Sequence, residues 1–360
     1  MSRFFSARYK SIEPRLPEGQ FAPEDDEQTV GLLRLDTIEL PFPPSPKVTA
    51  RLSEASASLH RRPEPDCPEL TEEIAKLCGA ESRHILVTDG ADEALDFAFK
   101  AFCDRYHPAA FPEIGYDAYR TLADVNGIPY KEIPLRDDLT IRADDYIAVG
   151  RTIFIADPNV PMGLAMPSEE IEGIARRNPD NVVVLDEAYL DLADEGSLSL
   201  IHGHDNILIV RSLSKTRPLA GARLGFCVGP SALIKDLKIV RDRSSPHGLS
   251  RLAVAAGMGT LEDVAYDREM REALHETRAF TADALEDLGF VLTGSIANFL
   301  FARHPRVDGG ALHTKLMEAG ICVKHFDVPA LAQYERITIG TRAQMEELVS
   351  ALKKILGEDD

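Results

Sequence analysis

The sequence has few cysteines, and their spacing lacks any pattern typical of a metal site or a disulfide framework. None of them belongs to a C-x-x-C pair, and their number is odd; the five are Cys67, Cys78, Cys103, Cys227 and Cys322. These features argue against a zinc protein or a disulfide-stapled fold and are typical of a reducing compartment. We therefore predict no metal site and no disulfide.

Long apolar runs and an excess of positive charge are also missing. No run approaches the roughly 18 residues of a membrane-spanning helix, and the opening MSRFFSARYKSIEP has no apolar core of signal-peptide length. Lys and Arg number 40 against 59 Asp and Glu, a formal net charge of −19. Such a surface repels nucleic acid and anionic lipid. We predict a cytoplasmic protein with neither as a partner.

The length of 360 residues exceeds one ordinary domain, and 44% apolar with 28% charged residues is typical of a folded protein. We predict an N-terminal arm at residues 1–46 that ends in the stiff segment PFPPSP and also contributes to a small domain. Residues 47–245 are predicted to form a large domain, and residues 246–360 a C-terminal small domain.

Short apolar runs separated by helical patterns fill the predicted large domain. The runs are unbroken rather than alternating, which is typical of strands buried on both faces of a mainly parallel sheet; they lie at 85–88, 152–156, 182–186, 207–211 and 224–229. Helical patterns lie at 68–78, 91–104, 116–126 and 168–177. The predicted fold class is therefore α/β.

The last third of the chain has a different pattern. Amphipathic helices are predicted at 267–288, 309–319 and 342–356, with strands at 299–303 and 336–340. Strands interleaved with helices in this way predict a small α+β domain.

In open α/β sheets, ligands bind beyond the carboxyl ends of the strands, and four predicted strands end in polar residues. The first runs into Asp89-Gly90-Ala91-Asp92 and then a helix. Gly90 permits close backbone approach, and free amides at a helix start favour an anion such as phosphate. The alternative is a tight turn in which Asp92 stabilises the helix N-terminus.

Two further strands end in groups that can address a ligand. The strand TIFIA runs into a loop with two prolines, where Asn159 either aims its amide at a ligand or stabilises the turn. The strand VVVL ends in Asp186, and an acid there is costly to bury unpaired. A protonated pyridine nitrogen is one possible partner; a loop cap or an arginine pair is the alternative.

The fourth strand, ILIV, runs into Arg211-Ser212-Leu213-Ser214-Lys215, and Arg223 follows eight residues after Lys215. Two hydroxyls, a lysine and an arginine form a compact donor set for a phosphate. A lone exposed lysine is usually only solvated, whereas a lysine at a buried strand end can form a Schiff base.

The order and spacing of these motifs resemble those of fold-type I pyridoxal-phosphate (PLP) dependent aminotransferases. The resemblance rests on Asp-Glu-Ala-Tyr at 186–189, Ser-Leu-Ser-Lys at 212–215 and Ala-Gly-Ala-Arg-Leu-Gly-Phe at 220–226. Within that group the chain most resembles histidinol-phosphate aminotransferases, over nearly its whole length. This implies a PLP-binding large domain with a mainly parallel mixed sheet, a smaller α+β domain, and a homodimer with shared active sites.

The resemblance also implies a role for each matching residue. Lys215 forms the Schiff base and moves the proton at the substrate Cα, Asp186 pairs with the pyridinium nitrogen, and Tyr189 hydrogen-bonds the phenolic oxygen of PLP. Tyr116 stacks on the ring, with Tyr119 as the rival candidate. The other predicted cofactor contacts, mostly to the phosphate, are those of Gly90, Ala91, Asp92, Asn159, Ser212, Ser214 and Arg223.

Some cofactor positions depart from the family pattern. Val160 stands where the family has an Asn that contacts the phenolic oxygen, so this contact is either lost or supplied by Asn159. The Tyr expected from the partner subunit is absent from residues 60–64, where Arg61 or Arg62 can serve the phosphate instead.

The substrate end departs further. Arg336 and Lys324 are predicted to bind the anionic end of the substrate, but Lys324 stands where the family has Arg and offers a point charge rather than a bidentate fork. Ile38 and Leu40 replace the two Asn of the family's Asn-Glu-Asn-Pro segment. The cofactor chemistry is therefore expected to be intact, while substrate recognition differs.

We expect ping-pong transamination through Lys215, between an amine with an anionic tail, histidinol phosphate first, and 2-oxoglutarate. Two alternatives stay open. One keeps the fold and changes the reaction to that of an aromatic or other amino-acid aminotransferase, or of a threonine-phosphate decarboxylase. The other is a PLP-binding protein without turnover, against which the complete cofactor set argues.

Overall fold

The computed structural model describes Phe4, Phe5, Tyr9 and residues 31–190 and 196–357. Most of the predicted arm at residues 1–46 therefore lies outside the described residues. The strands are β1 (Leu33–Arg34), β2 (Ile85–Asp89), β3 (Ala109–Pro112), β4 (Tyr130–Ile133), β5 (Thr152–Ala156), β6 (Val183–Asp186), β7 (Ile207–Ser212), β8 (Leu224–Val228), β9 (Val291–Leu292), β10 (Phe299–Arg303), β11 (Ile321–Cys322), β12 (Lys324–His325) and β13 (Tyr334–Thr338). The helices are α1 (Pro46–Ser56), α2 (Pro68–Leu77), α3 (Gly90–Phe102), α4 (Ala118–Asn126), α5 (Ser168–Arg176), α6 (Ser231–Ser244), α7 (Arg251–Glu262), α8 (Val264–Asp287), α9 (Gly309–Glu318) and α10 (Arg342–Leu356).

The large sheet has the strand order β2-β8-β7-β6-β5-β3-β4. In it, β8 runs antiparallel to both of its neighbours and the other pairs are parallel. Alternate strand residues enter two separate apolar cores, Ile153 and Ile155 on one face and Phe154 and Ala156 on the other. Strands covered on both faces are apolar throughout, which is why the sequence pattern located them. The predicted α/β fold with a mainly parallel mixed sheet is confirmed.

The second sheet has the order β12-β13-β10-β9 and is antiparallel throughout. The strand predicted at 336–340 is wrong by two residues, because β13 pairs with the whole of β10, from Phe299 with Thr338 to Arg303 with Tyr334. The helices predicted in this part of the chain are present, and α10 has the predicted bounds. It begins at a capping box between Thr341 and Gln344.

Several elements have no counterpart among the predicted ones. Helix α1 begins at Pro46, inside the segment expected to be extended, because Ser45 accepts a hydrogen bond from the Val48 amide and a proline suits the first helical position. Helices α6 and α7 and the short strands β1, β3, β4, β9, β11 and β12 were also not predicted. Their apolar residues are too few or too interrupted to show a period.

By its internal contacts the chain divides into two compact units. One includes Pro44–Val160 and Ala165–Val264 and contains the large sheet. The other includes residues 31–43, Pro161–Leu164 and the chain from Ala265 onward, and contains the antiparallel sheet. The predicted domain boundaries, after residues 46 and 245, stay a prediction. No helix in the described part of the chain is long and apolar enough to cross a membrane.

Candidate active site

The carboxyl ends of β2, β5, β6 and β7 lie at one edge of the large sheet, and the antiparallel β8 begins at the same edge. The register shows this, since Asp89 pairs with Leu224 and Ala156 pairs with Asp186. The fold therefore brings together the four polar strand ends that stand out in the sequence. This edge is where open α/β sheets bind their ligands.

The segment around Gly90 packs too closely against the start of β8 to allow a side chain. Gly90 has a φ of +77°, and a Cβ there would lie 2.6 Å from Nη2 of Arg223. A Cβ on Gly225 would lie 2.6 Å from the amide nitrogen of Ala91. Glycine at both positions lets the amino end of α3, whose first amides have no partner within the helix, approach the guanidinium. Amides and a guanidinium at one place suit an anion.

Asp92 links two of the predicted cofactor residues. Its Oδ2 accepts a hydrogen bond from Nη2 of Arg223 at 3.0 Å, and its Oδ1 accepts one from the Tyr116 hydroxyl at 2.6 Å. The ion pair is about half exposed, so water screens it and its contribution to stability is small. A phosphate can therefore compete for the guanidinium, while the Tyr116 ring is held beside the amino end of α3.

The two serines after β7 differ in how their hydroxyls are used. Ser212 Oγ accepts a hydrogen bond from the Ser214 amide at 3.1 Å. Ser214 Oγ is buried and has no hydrogen-bond partner among the described residues. Burying such a group without a partner costs about 1–3 kcal/mol. A bound anion at this position would accept a hydrogen bond from the Ser214 hydroxyl and so remove that cost.

Asp186 is buried at the end of β6, and the donors that reach it are neutral. Its Oδ2 accepts from the Tyr119 hydroxyl at 3.0 Å, and its Oδ1 accepts from the Ala188 amide at 3.2 Å. Burial raises the pKa of its carboxyl to about 7, although these two hydrogen bonds lower it. A cation brought by a ligand would restore the ionised form.

Lys215 and Tyr189 each lie three residues beyond a strand end at this edge of the sheet. Both are partly buried, on the segments that follow β7 and β6. The amide of Leu213 donates to the carbonyl of Leu224 at 2.9 Å and ties the lysine segment to the start of β8. Burial, then nearby carboxylates and the Tyr189 hydroxyl, raise the pKa of the Tyr116 phenol well above its ordinary value. Tyr189 and Asp186 therefore lie close enough to Tyr116 to act on its phenol.

The side chain of Asn159 is engaged within its own loop. Its Nδ2 donates to the carbonyl of Ile114 at 3.4 Å, and its Oδ1 accepts from the amide of Val160 at 3.0 Å. Val160 itself is buried and apolar. The turn-stabilising use of Asn159 is therefore present, and its contact with a cofactor stays a prediction.

The predicted substrate residues lie next to one another on the antiparallel sheet. Lys324 on β12 is the register partner of Arg336 on β13. Each cation lies 5.7 Å from the centre of the Phe326 ring, and Nη2 of Arg336 donates to the carbonyl of Asp36 at 3.0 Å. Arg336 is only 1% exposed. Two cations and an aromatic ring form a patch suited to an anion attached to a flat group.

Arg251 holds the segment that was predicted to meet a partner subunit. Its Nε donates to the carbonyl of Arg61 at 2.7 Å and its Nη2 to that of Arg62 at 2.9 Å. Arg61 and Arg62 are themselves exposed. The backbone of this segment is therefore fixed while both of its arginines face outward.

Comparison with known proteins decides the family. The model described as aminotransferase class I and II matches residues 30–352. The histidinol-phosphate aminotransferase of Aromatoleum aromaticum is 40% identical over 99% of this chain and 100% of its own length. Histidinol-phosphate aminotransferase 2 of Dechloromonas aromatica is 37% identical over the same shares.

This chain belongs to the aminotransferase class I and II family. Among solved structures, the histidinol-phosphate aminotransferase of Sinorhizobium meliloti in complex with pyridoxal-5'-phosphate has a TM-score of 0.87, with 24% identity over 99% of both chains. The predicted family, enzyme class and cofactor are confirmed.

The residues of the aminotransferase at this edge fit PLP chemically. The buried Ser214 hydroxyl without a partner, the amino end of α3 and Arg223 suit its phosphate. Asp186, with neutral donors and a raised pKa, suits a protonated ring nitrogen. The phosphate would thus give the Ser214 hydroxyl an acceptor, and the ring nitrogen would give Asp186 a cation.

The buried ion pair of Glu187 with Arg211 at this edge had no predicted part in the site. Glu187 accepts from Nε and Nη2 of Arg211 at 2.9 and 2.7 Å, and from the Ser197 amide at 2.7 Å. The available signal was the acid pair after VVVL, followed by an arginine after ILIV on the next strand. Tyr119, the rival candidate for the stacking role, instead donates to Asp186.

Proposed function

We propose that this aminotransferase transfers an amino group between histidinol phosphate and 2-oxoglutarate. The reaction of its relatives and the complete cofactor set support this. The observation that carries it is the buried Asp186, left with neutral donors at the sheet edge that also holds Lys215 and Arg223. Burying a carboxylate without a cation is costly, and the protonated ring nitrogen of the cofactor would supply that cation.

PLP, when bound, supplies a conjugated ring that takes up the electron pair left by the broken Cα–H bond. Asp186 keeps the ring nitrogen charged, Tyr189 donates to the phenolic oxygen, and Tyr116 covers one ring face. The phosphate is held by the amides of Gly90, Ala91 and Asp92 and by Ser212, Ser214 and Arg223, while Asn159 lines the same edge. These contacts orient the cofactor before the substrate arrives.

Lys215 has two tasks. Its Nζ would hold the cofactor covalently and, as a free amine, would take the proton from the substrate Cα and give it back within the same site.

Arg336 and Lys324 select the substrate by its anionic tail. They lie beside the same ring, Phe326, and two neighbouring cations favour a multiply charged anion such as the phosphate of histidinol phosphate. The five cysteines are free and buried, which supports a role in the reducing cytoplasm. The exposed pair Arg61 and Arg62 on its fixed backbone supports a homodimer in which each subunit completes the other's site.

The test is a screen of amines against the purified PLP enzyme, read by the loss of the visible absorbance of the lysine-linked cofactor. Histidinol phosphate is expected to convert it at the lowest concentration, and histidinol, which lacks the phosphate, at a concentration at least tenfold higher. Lys215→Ala is expected to lose the covalent link, so that borohydride traps no adduct. Preference for phenylalanine, or carbon dioxide release from threonine phosphate, would instead support the alternative reactions.

A further inference from the structure

The hydroxyl of Tyr119 is the side-chain donor to Asp186. The distance from its oxygen to Oδ2 of Asp186 is 3.0 Å, and the two residues are 1% and 2% exposed. Water therefore does not compete for this hydrogen bond. The amide of Ala188 reaches the other carboxylate oxygen, so each oxygen keeps one lone pair for a further donor.

An aromatic cluster fixes the Tyr119 ring. It lies edge-on to Tyr116 with ring centres 5.7 Å apart, and tilted against Phe111 at 5.8 Å and Phe154 at 5.9 Å. Phe154 in turn stacks on Phe99 at 4.0 Å. A ring packed on several sides cannot swing its hydroxyl to another acceptor. The donor therefore stays where the carboxylate of Asp186 needs it.

The protonation of this pair is also defined. Burial, and then the charge of Asp186, raise the pKa of Tyr119 well above its ordinary value, so that the phenol keeps its proton at neutral pH. The same hydrogen bond lowers the pKa of Asp186, against the larger effect of burial. Tyr119 thus donates a hydrogen bond to Asp186 and favours the ionised form of that carboxylate.

We infer that Tyr119 is a positioning residue for the transamination site: its hydroxyl holds Asp186 in one orientation and in its anionic form, ready to pair with the ring nitrogen of PLP. This inference rests on the proposed function, because it takes Asp186 as the partner of that nitrogen. It gives Tyr119 a part distinct from the ring-stacking part assigned to Tyr116.

Tyr146 offers a matched control. It is also 1% exposed and lies in the same unit, but its hydroxyl is buried without a hydrogen-bond partner among the described residues. Tyr119→Phe and Tyr146→Phe each remove one buried phenol oxygen and keep the ring. A purely structural role for Tyr119 predicts that only stability changes, with the cofactor itself unaffected.

The experiment loads the wild type, Tyr119→Phe, Tyr146→Phe and Asp186→Asn with PLP labelled with ¹⁵N at the ring nitrogen. In Tyr119→Phe the nitrogen chemical shift is expected to move from the protonated toward the unprotonated value, in the same direction as in Asp186→Asn but by less. The dissociation constant of PLP is expected to rise roughly tenfold, the size of one charge-assisted hydrogen bond. The kcat is expected to fall by about as much with KM little changed, and Tyr146→Phe to match the wild type.

An unchanged nitrogen shift in Tyr119→Phe, beside a clear change in Asp186→Asn, would overturn the inference and leave the proposed function standing. No change in Asp186→Asn, or no visible cofactor band in the wild type, would overturn both. If Tyr119→Phe does not fold, 3-fluorotyrosine at position 119 keeps the ring and makes the hydroxyl a stronger donor. The nitrogen shift must then move toward the protonated value, and a fixed shift would count against the inference.

Discussion

Asp186 and Glu187 are consecutive and equally buried, yet their surroundings differ in kind. Alternation along the strand directs them to opposite faces of the sheet. On one face Glu187 accepts two hydrogen bonds from Arg211 through Oε2 and a third, through Oε1, from the Ser197 amide. On the other, Asp186 is met by a phenol and an amide, both neutral. The charge of Glu187 is therefore balanced by Arg211, whereas the donors to Asp186 carry no charge.

This difference teaches how to separate a structural acid from a catalytic one. Removing a charge from water without a counter-charge is costly, and the pKa of Asp186 near 7 is the sign of that cost. Four changes would break or sharpen the comparison.

The largest effect is expected from Asp186→Ala. Without the carboxylate the ring nitrogen loses its counter-charge and no longer stabilises the electron pair from the Cα–H bond. We expect kcat to fall on the order of a thousandfold, about 4 kcal/mol, while the protein still binds PLP through its phosphate. Steady-state kinetics and measured PLP content check this, and near-normal turnover would remove the electronic role of Asp186.

Glu187→Gln should act on stability instead of chemistry. It removes the negative charge from the buried ion pair with Arg211, so unfolding in urea should show a loss of about 3 kcal/mol. The folded variant should keep its ring-nitrogen signal and a kcat near that of the wild type. The double variant Glu187→Leu with Arg211→Met should recover part of the loss. A kcat defect as large as that of Asp186→Ala would erase the distinction between the two acids.

The pH dependence of the apoprotein should differ from that of the PLP enzyme. Burial raises the pKa of Asp186 and of Asp157 to about 7 in the folded chain. Folding therefore takes up protons, and stability falls as the pH rises from about 4 to about 7, by at most about 1.4 kcal/mol per pH unit for each group. Bound PLP, which pairs with ionised Asp186, should remove that residue's share.

Asp186→Asn and Asp157→Asn separate the two contributions in thermal unfolding measured at several pH values. Each substitution should make the stability of the apoprotein depend less on pH. Of the two variants, only Asp157→Asn should keep a stability difference between apoprotein and PLP enzyme that grows with pH. Identical pH curves for wild-type apoprotein and PLP enzyme would contradict the assignment of Asp186.

The smallest effect is expected from Tyr116→Phe. The substitution removes the hydrogen bond to the half-exposed Asp92 side chain and keeps the ring that is proposed to cover the cofactor. We expect PLP affinity to fall by roughly fivefold, about 1 kcal/mol, with the ring-nitrogen signal unchanged. Fluorescence titration of apoprotein with PLP measures it. A larger loss than that of Tyr119→Phe would reverse the ranking of the two phenols.

Much of the large sheet could be predicted because its central strands are apolar on both faces, and residues 152–156 were placed with their true bounds. Strands β3 and β4 could not, since AAFP and YKEI are short and β4 is half exposed. In the second sheet, β13 was misplaced by two residues because RITIG is more apolar than YERIT, although pairing with β10 sets the true register. Helix α1 was missed because the proline-rich segment PFPPSP, which ends at its first residue, is typical of extended chain as well as of a helix start.

The sequence by itself determined which residues are proposed to bind the cofactor, because Lys215, Asp186, Tyr189 and Arg223 each follow or precede a strand whose pattern is local. Only the tertiary structure decided which of two adjacent acids is balanced by Arg211 and which is held by Tyr119. The physical reason is that charge compensation depends on which side chains meet across neighbouring strands and helices. That meeting is fixed by register and packing, which no local pattern of residues records.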